Sequence, residues 1–266
     1  MRVVVTRPEA DAPGWAQGLL AAGFDPLLLP LIDIGPVTDP HAVQALHQAW
    51  QQVPRCVGVM FVSGNAVAHF FAQKPAETLG GKSWPAIKNR AWATGPGTVR
   101  ALLRAGVAAH LLDSPAHDAG QFDSEALWAV VQRQVLPGDQ VLIVRGADAA
   151  GAATQGVGRD WFAARVAAAG AQVNFAVAYQ RAAPVFTEAQ QREAEAAAVD
   201  GSVWLFSSSE ALANLQAWLP HQSWAHARAV ATHARIAAAA KQLGFGVVCE
   251  SRPLLASVVA SIESLG

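Results

Sequence analysis

FVSGNAV (61–67) and FSSSEAL (206–212) decide how this chain is read. The first follows the apolar run VGVM (57–60), and the second completes the run VWLF (203–206). Each then opens a stretch with helical spacing of Ala, Val, Leu and Phe. A serine-bearing turn from strand into helix therefore occurs twice, 145 residues apart.

Other segments recur in the same order. AWATGPGTVRALLRAG (91–106) lies over AVATHARIAAAAKQLG (229–244) at an offset of 138, with Ala, Ala, Thr, Ala and Gly in register. At that offset VVVTRP (3–8) lies over VLIVRG (141–146), and Arg7 falls on Arg145. LLAAGFDPLLLPLIDIGPV and VAAAGAQVNFAVAYQRAAPV also correspond. A chain whose pieces repeat in order reads as two related halves, roughly 1–138 and 139–266.

Each half alternates short β-branched runs with longer Ala/Leu stretches. The first half gives VVVT, a helix ending at Gly23, LLLPLI, and a helix near 40–52. It continues with VGVMFV, a helix from Gly64, AWAT, a helix ending at Gly106, the strand-like AAHLL (108–112), and a helix opening at Asp123-Ser124-Glu125. Glycine is a good helix stop and Asp or Ser a good N-cap. This alternation predicts an α/β protein with parallel sheets and helices on both faces. Ligands of such sheets sit beyond the carboxyl ends of the strands.

Composition narrows the field. Hydrophobic residues make up 52% and charged residues 15%, enough apolar surface for packed cores. The net charge of −1 leaves no basic surplus for nucleic acid. Cys56 and Cys249 are the only cysteines, and no CxxC or HExxH is present, so neither a disulfide framework nor a metal site is expected. MRVVVTRP enters a strand with no secretory core, and the most apolar stretch, PLLLPLI, is broken by prolines. A cytoplasmic protein outside the membrane is expected.

The strand ends hold the candidate site residues. Arg7 and Arg145 close the first strand of each half. Ser63-Gly64-Asn65 and Ser207-Ser208-Ser209 follow another. Thr94-Gly95-Pro96-Gly97-Thr98 and Thr232-His233-Ala234-Arg235-Ile236 follow a third. Free N–H groups at helix N-termini, with hydroxyls beside them, suit anions. Small residues let a ligand approach the backbone. Such turns with two arginines suit a ligand with many carboxylates. Each feature also has a plainer reading: serine as a simple N-cap, arginine as a surface ion pair, His233 as a solvated turn residue. The loop GADAAGAATQGVG (146–158) fits neither GxGxxG nor GxxxxGK[ST], so nucleotide binding has little support.

With these motifs in hand, the chain resembles the uroporphyrinogen-III synthase family. The resemblance rests on VVVTRPEA, PLIDIGPV, FVSGNAV, ATGPGTVRALLRAGV, SEALW, VLIVRG with a later GRDWF, VAYQR, LFSSSEAL and ATHARIAAAAKQLGF. Their order and spacing cover nearly the whole chain. The last piece departs from the family's Gly-Pro-x-Thr pattern, and the loop before GRDWF is long.

The resemblance implies two parallel-sheet α/β domains joined by two extended connector strands and built from an internal duplication. The domains are not the halves: one is 1–35 with 182–266, the other 38–179, with connectors 33–37 and 179–183. It implies cyclisation of hydroxymethylbilane, a linear tetrapyrrole, to uroporphyrinogen III, with loss of water and inversion of the last pyrrole. No cofactor or metal is implied. The substrate-binding set carried over is Arg7, Ser63, Gly64, Asn65, Gly95, Thr98, Arg145, Ser207, Ser208 and Ser209, gripping the ligand from both domains. Tyr179, the chain's single tyrosine, matches the family's tyrosine in VAYQR and is the candidate for helping the hydroxyl leave; the plainer reading is packing on a connector. A monomer that meets the preceding deaminase transiently is expected. A hinge protein closing on a small polyanion without catalysis would use the same turns without needing Tyr179. A nucleotide-sugar transferase would need a nucleotide motif that is missing.

Overall fold

A computed structural model describes residues 1–75, 89–116, 118, 119, 121–148 and 160–265. The chain divides into two compact units, 1–34 with 182–266, and 35–181.

The first unit is built on five strands: β1 (Arg2–Val5), β2 (Asp25–Leu28), β9 (Val203–Phe206), β10 (Arg228–Ala231) and β11 (Val247–Glu250). Their order is β11-β10-β9-β1-β2. These neighbours all run parallel, and β1 lies beside β9 with Val3 opposite Val203. The period of two in β1 serves two cores at once. Val4 packs with Trp204, Phe206, Leu215 and Ile236 on one face. Val3 and Val5 pack with Leu19, Leu205, Val230 and Val258 on the other. Hence VVV is unbroken by polar residues, as a strand covered on both faces requires. The helices are α1 (Ala12–Ala21), α7 (Glu188–Ala197), α8 (Ser209–Trp218), α9 (Ala234–Leu243) and α10 (Leu255–Glu263). Thr187 and Gln190 close a capping box at the start of α7.

The second sheet has six strands in the order β3-β8-β7-β4-β5-β6: β3 (Asp33–Pro36), β8 (Gln172–Ala182), β7 (Gln140–Asp148), β4 (Gly58–Phe61), β5 (Arg90–Ala93) and β6 (Leu112–Asp113). Among the described residues the helices of this unit are α2 (Pro40–Gln52), α3 (Gly64–Ala72), α4 (Pro96–Arg104), α5 (Ser124–Val131) and α6 (Asp160–Ala168). Met60, Trp92, Val141 and Ile143 form one core with Leu127, Trp128 and Phe162. On α2, Trp50 stacks on Phe70 at 4.3 Å and donates its indole N–H to the Phe70 carbonyl at 2.9 Å. Asp39 caps α2 and Asp123 caps α5 through backbone N–H groups.

Two short runs differ from the sequence reading. LLLPLI is not one strand: β2 ends at Leu28, and Pro30, which has no N–H to give a ladder, separates it from β3. AAHLL is mostly a 3-10 turn (Ala109–Leu111), with only Leu112 and Asp113 paired. Arg90 ties this edge down, donating to the Asp113 carboxylate at 2.5 and 2.7 Å and to the His110 carbonyl at 2.7 Å. Among the described residues no helix is long and apolar enough to cross a membrane.

Candidate active site

In the second unit, β4 runs into α3 through Val62 and Ser63. Ser63 is the N-cap: its backbone is extended, and its hydroxyl accepts the Ala66 N–H at 3.1 Å. The same hydroxyl lies 3.1 Å from the phenol oxygen of Tyr179, on β8. Tyr179 is 4% exposed. His69, six residues past the cap on α3, stacks against the Tyr179 ring at 5.8 Å with 29° between planes. Burial lowers the His69 pKa, which keeps the imidazole neutral near neutral pH.

β7 opposes Tyr179 with Gly146, and the pairing register slips between Arg145 and Gly146. A Cβ at Gly146 would lie 2.5 Å from Cζ of the tyrosine ring, so only glycine leaves room for it. Arg145 is buried, its guanidinium over the Phe175 ring at 4.0 Å. Gly64 and Asn65 form the first turn of α3. Gly95 is the N-cap of α4, where a Cβ would press on Phe122 at 3.2 Å. Thr98 sits in the first turn of α4 and is buried, while Thr94 donates to the Val62 carbonyl at 3.3 Å.

In the first unit, Arg7 lies just past β1 with its guanidinium over Trp15 of α1 at 4.2 Å. Ser207 follows β9. Ser208 is the N-cap of α8 and accepts the Glu210 N–H at 3.1 Å. Ser209 opens the helix, and its hydroxyl oxygen is buried without a hydrogen-bond partner among the described residues. His233 caps α9, accepting the Arg235 N–H at 3.1 Å, and Ile236 is buried. Thr6 donates to the Leu205 carbonyl at 2.7 Å, pinning β1 to β9 beside these turns.

The candidate residues thus fall into separate clusters within their own units, and the structure places against them side chains and backbone that the sequence did not single out. His69 and Gly146 are two of them. Nothing local marks His69, which stands on α3 at the position that Asn214 holds on α8 145 residues later. The loop 146–158 lies outside the described residues from 149 onward.

A family model described as "Uroporphyrinogen-III synthase HemD" matches residues 14–260. Two solved structures share the fold. One is a uroporphyrinogen-III synthetase from Helicobacter pylori 26695, 15% identical, covering 100% of both chains at a TM-score of 0.58. The other is a mutant uroporphyrinogen III synthase from the extremely thermophilic bacterium Thermus thermophilus, 18% identical, covering 100% of this chain and 98% of that one at 0.56.

Proposed function

This chain belongs to the uroporphyrinogen-III synthase family, and from that premise we propose which of its residues carry the reaction. The reaction is the cyclisation of hydroxymethylbilane to uroporphyrinogen III with loss of water, in porphyrin biosynthesis. The Tyr179 phenol assists departure of the hydroxyl. The serine and threonine turns, with Arg7 and Arg145, hold the carboxylates.

The observation that carries the role of Tyr179 is its 3.1 Å contact with Ser63. Ser63 already accepts the Ala66 N–H, and a hydroxyl has one proton to give. If that proton goes to the phenol oxygen, the phenol proton is left for the substrate. The result is a chain running from Ala66 N–H through the serine hydroxyl to the phenol and on to the leaving hydroxyl. Each bond in such a chain polarises the next. The chain starts at the positive end of α3, which favours negative charge developing on the phenol oxygen. As the carbon–oxygen bond breaks, the pyrrole nitrogen lone pair fills the vacancy and an azafulvenium cation forms. The departing hydroxide takes the proton from Tyr179 and leaves as water, and the pyrrole N–H proton passes to the phenolate to give the neutral azafulvene.

The second task is orientation. Without guidance the linear chain closes without inverting its last ring. Ser63, Gly64, Asn65, Gly95 and Thr98 in one unit, and Ser207, Ser208 and Ser209 in the other, offer hydroxyls and helix N-termini for the substrate's carboxylates. The matching strand sequences of the two sheets, β11-β10-β9-β1-β2 and β6-β5-β4-β7-β8, support reading them as products of one duplication, with β3 added to the second and the strands at 33–37 and 179–183 as connectors.

The test starts from porphobilinogen and the preceding deaminase. Adding this protein should turn the oxidised product from type I to type III. A type I product in the presence of folded protein would remove the reading. Hinge closure on a polyanion without turnover would give that result together with ligand binding.

A further inference from the structure

We propose that His69 and Gly146 are positioning residues for the Tyr179 phenol, the imidazole holding the ring by stacking and the glycine leaving the space the ring fills. The inference rests on the proposed role of Tyr179 and adds what fixes that group in place.

One helix holds the tyrosine at two points. Ser63 at the start of α3 meets the hydroxyl, and His69 meets the ring. Ser63 caps α3 and His69 lies on the same helix, so a single rigid element sets both contacts. Offset stacking of flat rings at such separations is favourable and directional. The opposing strand sets the third limit. A Cβ at position 146 would fall 2.5 Å from Cζ and closer still to Cε2. Because Cζ bears the hydroxyl, any side chain there must swing the reacting group itself. A displacement of about 1 Å is enough to cost about a hundredfold in rate where geometry controls the step. The slip in register between Arg145 and Gly146 is what brings the glycine opposite Tyr179.

The measurement compares His69→Ala, His69→Phe, Gly146→Ala and Tyr179→Phe in the coupled assay. Because the chain has one tyrosine, 13C-labelled tyrosine also gives a single set of ring resonances. His69→Ala should lower kcat about tenfold and Gly146→Ala about ten- to a hundredfold, each with KM within about twofold of wild type. His69→Phe, which keeps a flat ring, should recover most of the rate. The ring resonances should move in His69→Ala and Gly146→Ala. Placing His69→Ala on Tyr179→Phe should add almost no further loss.

Wild-type kcat with unmoved resonances in His69→Ala would overturn the proposal. So would an equal loss from His69→Ala on the Tyr179→Phe background, since His69 would then act elsewhere. A wild-type rate in Tyr179→Phe alone is a different failure. It removes the catalytic role of the phenol, and the resonances still decide whether His69 and Gly146 position the ring. If Gly146→Ala does not fold, the two His69 variants carry the test.

Discussion

The two units place different side chains at matching points. In one, His69 lies six residues past its N-cap (63 to 69), and Tyr179 lies nine residues past a left-handed glycine (170 to 179). In the other, Asn214 lies six residues past its N-cap (208 to 214), and Ile32 lies nine past such a glycine (23 to 32). In both, the helix residue meets the stretch of chain that follows the glycine. Asn214 donates to the Leu31 carbonyl at 2.7 Å, while His69 stacks on Tyr179. Ile32 packs into a wholly apolar cluster, but Tyr179 presents an oxygen to Ser63. At these two positions the second unit carries an imidazole and a phenol, and the first an amide and an alkyl group.

The hardest blow to that contrast is Tyr179→Phe. It removes one hydroxyl with little volume change, so folding should survive. The rate of type III formation should fall about ten- to a thousandfold, or about 1.4–4 kcal/mol of barrier. A rate within about twofold of wild type would make the two units chemically alike.

Next in size is Thr98→Val against Ile236→Val, at positions 138 residues apart. Loss of the Thr98 hydroxyl should weaken binding of a carboxylated tetrapyrrole by about 1–3 kcal/mol. The Ile236 change touches packing alone and should leave affinity nearly as it was. If Thr98→Val alters only urea stability, the hydroxyl serves the fold.

The paired caps sharpen the comparison further. Ser63→Ala and Ser208→Ala should each lower stability by about 1 kcal/mol, since each leaves a helix N–H uncapped. Steady-state kinetics should then part them, with Ser63→Ala lowering kcat and Ser208→Ala acting on KM. Equal effects on kcat would mean that the Ser63–Tyr179 contact has no special role.

Asn214→Ala removes the donor to the Leu31 carbonyl and should cost about 0.5–1.5 kcal/mol in urea unfolding with kcat unchanged. A fall in kcat would show that the first unit's version of this contact also serves the chemistry.

The smallest effect is a pH dependence carried by His69. Burial holds the His69 pKa below the ordinary 6.5. As pH falls through 6.5, the unfolded chain takes up this proton before the folded one, so stability declines toward the lower folded value and is regained as pH rises. Between pH 7 and 5 the urea midpoint of wild type should drop more than that of His69→Ala. Equal drops would assign the dependence to other groups.

Much of this was legible in the sequence. Unbroken runs such as VVV and VWLF are what doubly covered strands look like, and Ser63, Ser208 and Asp123 announce helix starts through hydrogen bonds a few residues long. His69 was harder to see. A histidine on an amphipathic helix carries no mark of what it faces, and its partner is 110 residues away. Gly146 was hidden in a glycine-rich run. Its need for no side chain comes from a neighbouring strand and not from its own backbone. Pro30 shows the reverse case, a local signal strong enough to break the apolar run LLLPLI that composition alone would make one strand.

The sequence by itself determined most local elements: the alternation of strands and helices outside LLLPLI and AAHLL, which runs are apolar, and that two sets of hydroxyl-bearing turns recur in order. These depend on contacts within a few residues, and residue type settles them. The tertiary structure alone decided which strands are neighbours. β1 pairs with β9, with Val3 opposite Val203, rather than with β4, and β7 pairs with both β4 and β8. An apolar parallel strand can satisfy its backbone beside any other of its kind, so its own residues do not name its partner. The same holds for Tyr179: its phenol meets Ser63 across 116 residues because β8 and the start of α3 share one sheet end.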